Sequence, residues 1–307
     1  MNILRRIAAI VTAAVVLPAA VTSCELKTET YSINTTVPLN DIDFTDGSCH
    51  GISFSSDISG TVIVTCDDVE VPEIRVKVDF VGGTAKRRKL EYDNLVIPHS
   101  LTDDGILSVG FKDRSTGQSA KSSYNPMKQE FEGVLFKHAE SYVEMTLPRS
   151  FDSFNISNYG GDLAVKDIHG HINIHTYDTL TAENVAFNAG DDNMVVGDNG
   201  VIVSTTRWKG KRADGLIMSR YGDIVYVLPE PSDLTGRSKA DTIQILCSEG
   251  TVRVDLNGNV CADTNQLDKD KNRQYEYSVG HGAALLDIDN YGNGVSFTNG
   301  SYKPDRY

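Results

Sequence analysis

Gly161-Asp162-Leu163-Ala164-Val165, Gly170-His171-Ile172-Asn173-Ile174, Gly200-Val201-Ile202-Val203, Gly215-Leu216-Ile217-Met218, Gly222-Asp223-Ile224-Val225-Tyr226-Val227, Asp241-Thr242-Ile243-Gln244-Ile245 and Gly250-Thr251-Val252-Arg253-Val254 restate one phrase between Ser157 and Asp255. A turn residue opens each, and a short run of apolar or alternating residues follows. Alternation of apolar and polar positions is the period of a strand with one buried and one wet face. No single phrase can bury its apolar face alone, so each needs a neighbour stacked beside it, as in a β-solenoid or meander.

The phrase extends upstream. Gly60-Thr61-Val62-Ile63-Val64 repeats it, and Ile74, Val76, Val78 and Phe80 alternate with Arg75, Lys77 and Asp79. Leu107, Val109 and Phe111 follow the same rule, as do Val143, Met145 and Leu147 ahead of Pro148. Lys112 to Gln129, rich in Ser, Lys, Gly and Asn, reads as a surface excursion. Downstream, a polar insertion at Asn257 to Gln274 precedes Ala284-Leu285-Leu286-Asp287-Ile288-Asp289 and Gly294-Val295-Ser296-Phe297. No segment after residue 23 carries a sustained helical period, so an all-β fold is expected.

At the N-terminus, Arg5 and Arg6 precede the apolar run Ile7 to Ala20 and then Val21-Thr22-Ser23-Cys24. This is the order of a secretion signal, and the run is shorter than the about 20 apolar residues a membrane span needs. A small residue directly before Cys24 resembles a lipobox, which implies cleavage there and acylation of Cys24, palmitate included. Several acyl chains anchor durably where one is marginal. The expected organisation is a signal peptide over 1–23, the lipidated Cys24 and a polar tether over 24–36, an N-terminal β region over 37–150, and a solenoid over 151–307 continuing the same domain. The expected location is the bacterial cell envelope, extracytoplasmic, on the periplasmic side or at the cell surface.

Loss of residues 1–23 removes Arg5 and Arg6 and no acid, moving the formal charge from -13 to -15. So acidic a chain is a poor partner for nucleic acid or anionic lipid. Four cysteines remain after Cys24, namely Cys49, Cys66, Cys247 and Cys261. In an exported protein an even number suggests disulfides, and the local pairing, Cys49 with Cys66 and Cys247 with Cys261, is expected. Each bridge would add roughly 3 kcal/mol in the loop-entropy model.

Four constellations carry possible chemistry. His169, His171 and His175 crowd one turn and strand, where His171 and His175 share a face with Asn173; imidazoles so placed suit zinc or copper. Asp287 and Asp289 flank Ile288 on one face, as paired carboxylates for acid/base work on a sugar would. Two basic clusters interrupt the acidic chain, Lys86-Arg87-Arg88-Lys89 and Arg207-Trp208-Lys209-Gly210-Lys211-Arg212. In the second, Trp208 is placed to stack on a sugar while Arg207, Lys209, Lys211 and Arg212 hold its anionic groups. Asp268, Asp270 and Asn272 begin like a calcium loop, but Arg273 and Val279 stand where that loop needs Gly and Glu. Neither a nucleophile elbow, a phosphate-binding loop nor a zinc-protease helix motif is present, and no cofactor is expected.

Three short motifs carry a family resemblance. They are Leu147-Pro148-Arg149-Ser150-Phe151 leading into Ile156-Ser157-Asn158-Tyr159-Gly160-Gly161-Asp162, then Ser219-Arg220-Tyr221-Gly222-Asp223-Ile224 running to Val227-Leu228-Pro229, and Gly280-His281-Gly282 before Leu286-Asp287-Ile288-Asp289-Asn290-Tyr291-Gly292. Over about Ile52 to Asn299 the chain resembles the bacterial putative-adhesin family. Stretches 178–199 and 205–212 depart from the beat. The resemblance implies a right-handed parallel β-helix-like solenoid, with the antiparallel strands at its N-terminal end, and it supplies no catalytic residues. The function expected is a non-catalytic binding or adhesion surface for polysaccharide or an envelope protein. Its alternatives are a glycan-cleaving enzyme and a structural or stress-response accessory. Exposed strand edges at the ends of such a stack would favour self-association.

Overall fold

The computed structural model describes residues 30–120, 123–125, 130–188, 193–205, 214–227, 241–247, 252–255, 273–279, 284–290 and 295–297. Tyr31 to Tyr307 forms one compact unit; the other, Met1 to Thr30, lies outside the described residues except for Thr30. In chain order the first part holds β1 (Tyr31–Thr36), β2 (Gly51–Ser56), β3 (Ser59–Asp67), β4 (Glu73–Phe80), helix α1 (Ala85–Asn94), β5 (Leu95–Val96), β6 (His99–Leu101) and β7 (Ile106–Gly110). There follow β8 (Lys112–Asp113), β9 (Ser123–Asn125), β10 (Glu130–Glu132), β11 (Ala139–Pro148), β12 (Ser153–Asn158), β13 (Leu163–Lys166), β14 (His169–Thr176), β15 (Thr179–Phe187) and β16 (Met194–Gly197). The last are β17 (Gly200–Thr205), β18 (Asp214–Ser219), β19 (Ile224–Val227), β20 (Asp241–Cys247), β21 (Val252–Asp255), β22 (Arg273–Val279), β23 (Ala284–Asn290) and β24 (Val295–Phe297).

Twenty of these strands join in one mixed hydrogen-bonded sheet. Its pairings separate into two ladders. Wall A runs β1, β4, β11, β3, β13, β15, β17, β19, β21, β24. Wall B runs β6, β7, β2, β12, β14, β16, β18, β20, β23, β22. From β12 to β21 the chain alternates wall B, wall A, wall B, each strand lying parallel to the one two places earlier. The antiparallel pairs fall at the ends, β1–β4–β11 and β6–β7 first and β22–β23 last, so the expected antiparallel N-terminal strands are present.

Alternation feeds one file of side chains inward from each wall. On wall B, Phe54, Ile156, Ile174, Val195, Ile217 and Ile245 are successive register partners and all are buried. On wall A, Val64, Val165, Ala182, Val203 and Tyr226 do the same. Strands about 4.8 Å apart bring each residue onto its like in the next layer, so the apolar phrase becomes a continuous core.

Several expectations are corrected. Tyr31–Thr36, assigned to the tether, pairs as β1 with β4. The Lys86–Lys89 cluster lies in a helix, although no helical period was legible. Thr84 caps α1, its Oγ1 accepting from the Arg87 amide at 3.2 Å, and Arg87–Glu91 and Lys89–Asp93 pair one turn apart. Glu91 is fully buried and also accepts from the His138 amide at 3.0 Å, so local polar bonds rather than an apolar stripe hold the helix. The stretch 178–199 contains β15 and β16; a bulge between Ala182 and Val185, with Asn184 at φ 57°, breaks the alternation. Cys49 and Cys66 are free, buried thiols packed in the apolar core rather than a disulfide. Burial pushes the Cys66 thiol up to about 12, with the Asp167 charge adding and Arg149 opposing. The side chain of Cys247 and the whole of Cys261 lie outside the described residues.

Candidate functional site

The two walls meet at two kinds of corner. From wall B to wall A the links are tight, 159–162, 177–178, 198–199 and 220–223 among them. From wall A to wall B they lengthen along the chain, from 167–168 through 188–193 and 206–213 to 228–240.

A buried polar ladder builds the tight corner. Ser56, Asn158, Thr176 and Ser219 end their wall B strands and are at most 1% exposed. Asn158 Nδ2 donates to the carbonyls of Gly60 at 3.0 Å and Asp162 at 2.7 Å. Thr176 Oγ1 donates to Asn158 O at 2.8 Å, and Ser219 Oγ accepts from the Gly222 amide at 3.2 Å. A Cβ at Gly161 would run into the Gly60 carbonyl, and one at Gly222 into the Asn199 carbonyl. The Asn-Tyr-Gly-Gly-Asp and Ser-Arg-Tyr-Gly-Asp motifs are thus corner chemistry: the polar residue satisfies turn carbonyls inside, and glycine admits the next layer.

The tyrosine of each motif points the other way. Tyr159 and Tyr177 stand one layer apart with ring centroids 4.8 Å apart, and the His175 imidazole lies edge-on to both at 5.2 Å. Further along, Arg220 sits 5.8 Å from the Tyr221 ring centre, and its Nη1 is 3.5 Å from Asp198 Oδ2. Tyr177 and Tyr221 are about half exposed. Burial holds the His175 pKa below the usual histidine value; the Asp198 charge opposes that shift and Arg220 adds to it.

This aromatic rim borders the outer face of wall B, which is uncharged over its first five strands. One row of outward positions runs Ser100, Ser108, Ser53, Asn155, Asn173, each the register partner of the next. A second runs Gly110, Ser55, Ser157, His175, and a third Ile106, Gly51, Ser153, His171. On β6, β7, β2, β12 and β14 no outward position carries Asp, Glu, Lys or Arg. The serine and asparagine side chains of these rows make no hydrogen bonds to other described residues. Beyond β14 the first row continues as Met194 and Leu216, and the second as Val196 and Met218.

Wall A is the opposite. Its outer face carries Arg75, Lys77, Asp79, Glu140, Glu144, Lys166 and Glu183, and pairs Arg75 with Glu73 and Glu144, Lys77 with Asp79, and Lys166 with Glu183.

The residues singled out from the sequence are dispersed. His171 and His175 do share the outer face of β14, but His169 is on the buried side beyond Gly170 (φ 129°), and His175 packs on tyrosines. Among the described residues no three His, Cys, Asp or Glu side chains gather to hold a metal. Arg207, Trp208, Lys209, Lys211 and Arg212 lie outside the described residues, in the connection 206–213. Asp287 and Asp289 lie on β23, in register with Gln244 and Leu246, and their side chains are outside the described set. Cys24 is likewise outside it. The neutral wall went unread, although Ser53, Ser55, Asn155, Ser157 and Asn173 all sit at polar positions of alternating strands.

No family model and no curated protein matches the chain. Among solved structures, the chain is similar to the crystal structure of a putative adhesin from Bacteroides fragilis, with 11% identity, a TM-score of 0.33, and coverage of 88% of this chain and 97% of that one. A likeness this slight says nothing further about the site.

Proposed function

We propose that the chain is an exported, non-catalytic binding protein whose outer wall B holds an uncharged polysaccharide. The observation that carries this is a five-strand face without a charged side chain, in a chain of formal charge -13, bordered by two touching tyrosines. Free hydroxyls and amides exchange hydrogen bonds with sugar hydroxyls, and aromatic rings stack on the apolar face of a pyranose. A lipid on Cys24 would tether this surface at the bacterial envelope, which the order of the N-terminal residues supports. A right-handed coil is the hand supported by the parallel β12–β14 crossover through β13, since such connections are right-handed almost without exception.

A second reading concerns anionic glycans at Trp208 with Arg207, Lys209, Lys211 and Arg212, between β17 and β18 in the sequence. Passing the protein over neutral and anionic polysaccharides separates the readings. Retention of intact neutral glycan at both low and high salt is expected. Retention only of anionic glycan, lost on raising the salt, would move the site to the basic segment. Shortened glycan would make the protein an enzyme and overturn the proposal.

A further inference from the structure

We infer that wall B takes an extended, β-1,4-linked glycan chain lying across the strands, along the stack, with about one sugar residue per layer. The inference rests on the binding surface proposed above and adds direction, linkage and length.

Direction follows from where the chemistry repeats. Across the strands, Ser100, Ser108, Ser53, Asn155 and Asn173 present one neutral donor and acceptor per layer, at the strand spacing of about 4.8 Å. Along a strand the face is narrow: β12 offers only Ser153, Asn155 and Ser157. Past its first end stands the exposed His50–Asp152 pair, Nδ1 to Oδ1 at 3.0 Å. Past its last end stands the tyrosine rim, which itself runs along the stack, Tyr159 to Tyr177 being one layer step. The long axis of the uncharged surface is therefore the stack axis.

Linkage follows from flatness and repeat. Gly110 and Gly51 present no side chain at the outer face, and a Cβ at Gly51 would collide with Ser153 and Ile106. A β-1,4-linked pyranose chain is a flat ribbon that advances by close to one strand spacing per residue, with alternate residues turned over, so each layer meets the hydroxyls of one residue. An α-1,4-linked chain of the same sugar coils away from a flat face and meets it at isolated points. Length follows from the limits of the row. It is polar from β6 to β14 and becomes Met194 and Leu216 beyond, which gives about five layers, or roughly 20 Å.

Calorimetric titration of the full chain with cello-, chito- and malto-oligosaccharides, each from dimer to heptamer, tests this. In at least one β-linked series affinity should rise about tenfold or more from dimer to pentamer and then level off, with the malto series about tenfold weaker at every length. N173K, at one end of the row, should bring the plateau to a shorter oligomer. Equal binding of α- and β-linked chains, or affinity independent of length or of N173K, would overturn the direction and linkage while leaving a glycan-binding surface in place. Failure of every oligosaccharide to bind would overturn both.

Discussion

Walls A and B share one core and differ in their outer faces. Their inner files are alike in kind, mostly valine and isoleucine over one another, and both obey the same strand spacing. Outside, wall A alternates acid and base into ion pairs, each an exposed contact that solvent screens. Wall B leaves the outward serines and asparagines of its first five strands without described partners and admits no charge there. Nothing in the core demands this, because inward files and outward rows alternate independently along each strand. A protein this acidic has charge to place on every surface, so a face kept clear of it answers to something outside the fold.

The comparison supposes that one core supports both faces. Phe54→Ala, in the wall B file, should therefore lower the unfolding free energy by about 3–5 kcal/mol, with loss of wall A and wall B signals in one urea transition. Two separate transitions would mean that the walls are independent and their contrast accidental. A smaller effect is expected at the corner that joins them. Asn158→Ala leaves the Gly60 and Asp162 carbonyls without their donor and should cost about 1–3 kcal/mol, read by the same melt. A value near zero would remove the polar ladder as the device that turns wall B into wall A.

The smallest effect is confined to wall B and depends on pH. The folded protein holds the His175 pKa below 6.5, its unfolded value, chiefly by burial. Between those two values the unfolded chain binds more protons, so stability falls as pH drops below about 6.5 and is regained above it. His175→Gln should flatten that slope in melting temperature without changing wall A. An unchanged slope would place the titration elsewhere.

How much of this was legible in the sequence depends on whether meaning was local. Strands β13, β14 and β17 to β21 could be read because a short apolar or alternating run directly follows a turn residue in each, and one strand's worth of sequence shows it. Strands β15 and β16 could not, since Asn184 bulges the first and the second is only Met194–Gly197. Helix α1 is invisible to periodicity because it is held by a cap and by Glu91 reaching His138. The neutral wall required register: Ser53 joins Asn155, and Ser108 joins Ser53, through pairings between strands far apart in the chain. Tyr159 was legible as a motif tyrosine, whereas Tyr177 stood in no motif, and their contact exists only after one layer is laid on the next. Cys66 follows the parity of β3 into the core and Cys49 enters it just ahead of β2, where a small apolar side chain serves as well as a bridge.

One paired measurement bears most directly on wall B as the binding face: the affinity of a neutral, β-linked glycan for Asn155→Lys and for Thr181→Lys. The first puts a lysine inside the uncharged row on wall B, between Ser53 and Asn173, and the second puts the same charge on the outer face of wall A. Both positions are solvent-facing, so both variants should fold with melting temperatures near that of the parent. Asn155→Lys should weaken binding about tenfold or more while Thr181→Lys leaves it unchanged. Equal affinities for the two, or a loss at Thr181 alone, would contradict the assignment of the binding surface to wall B.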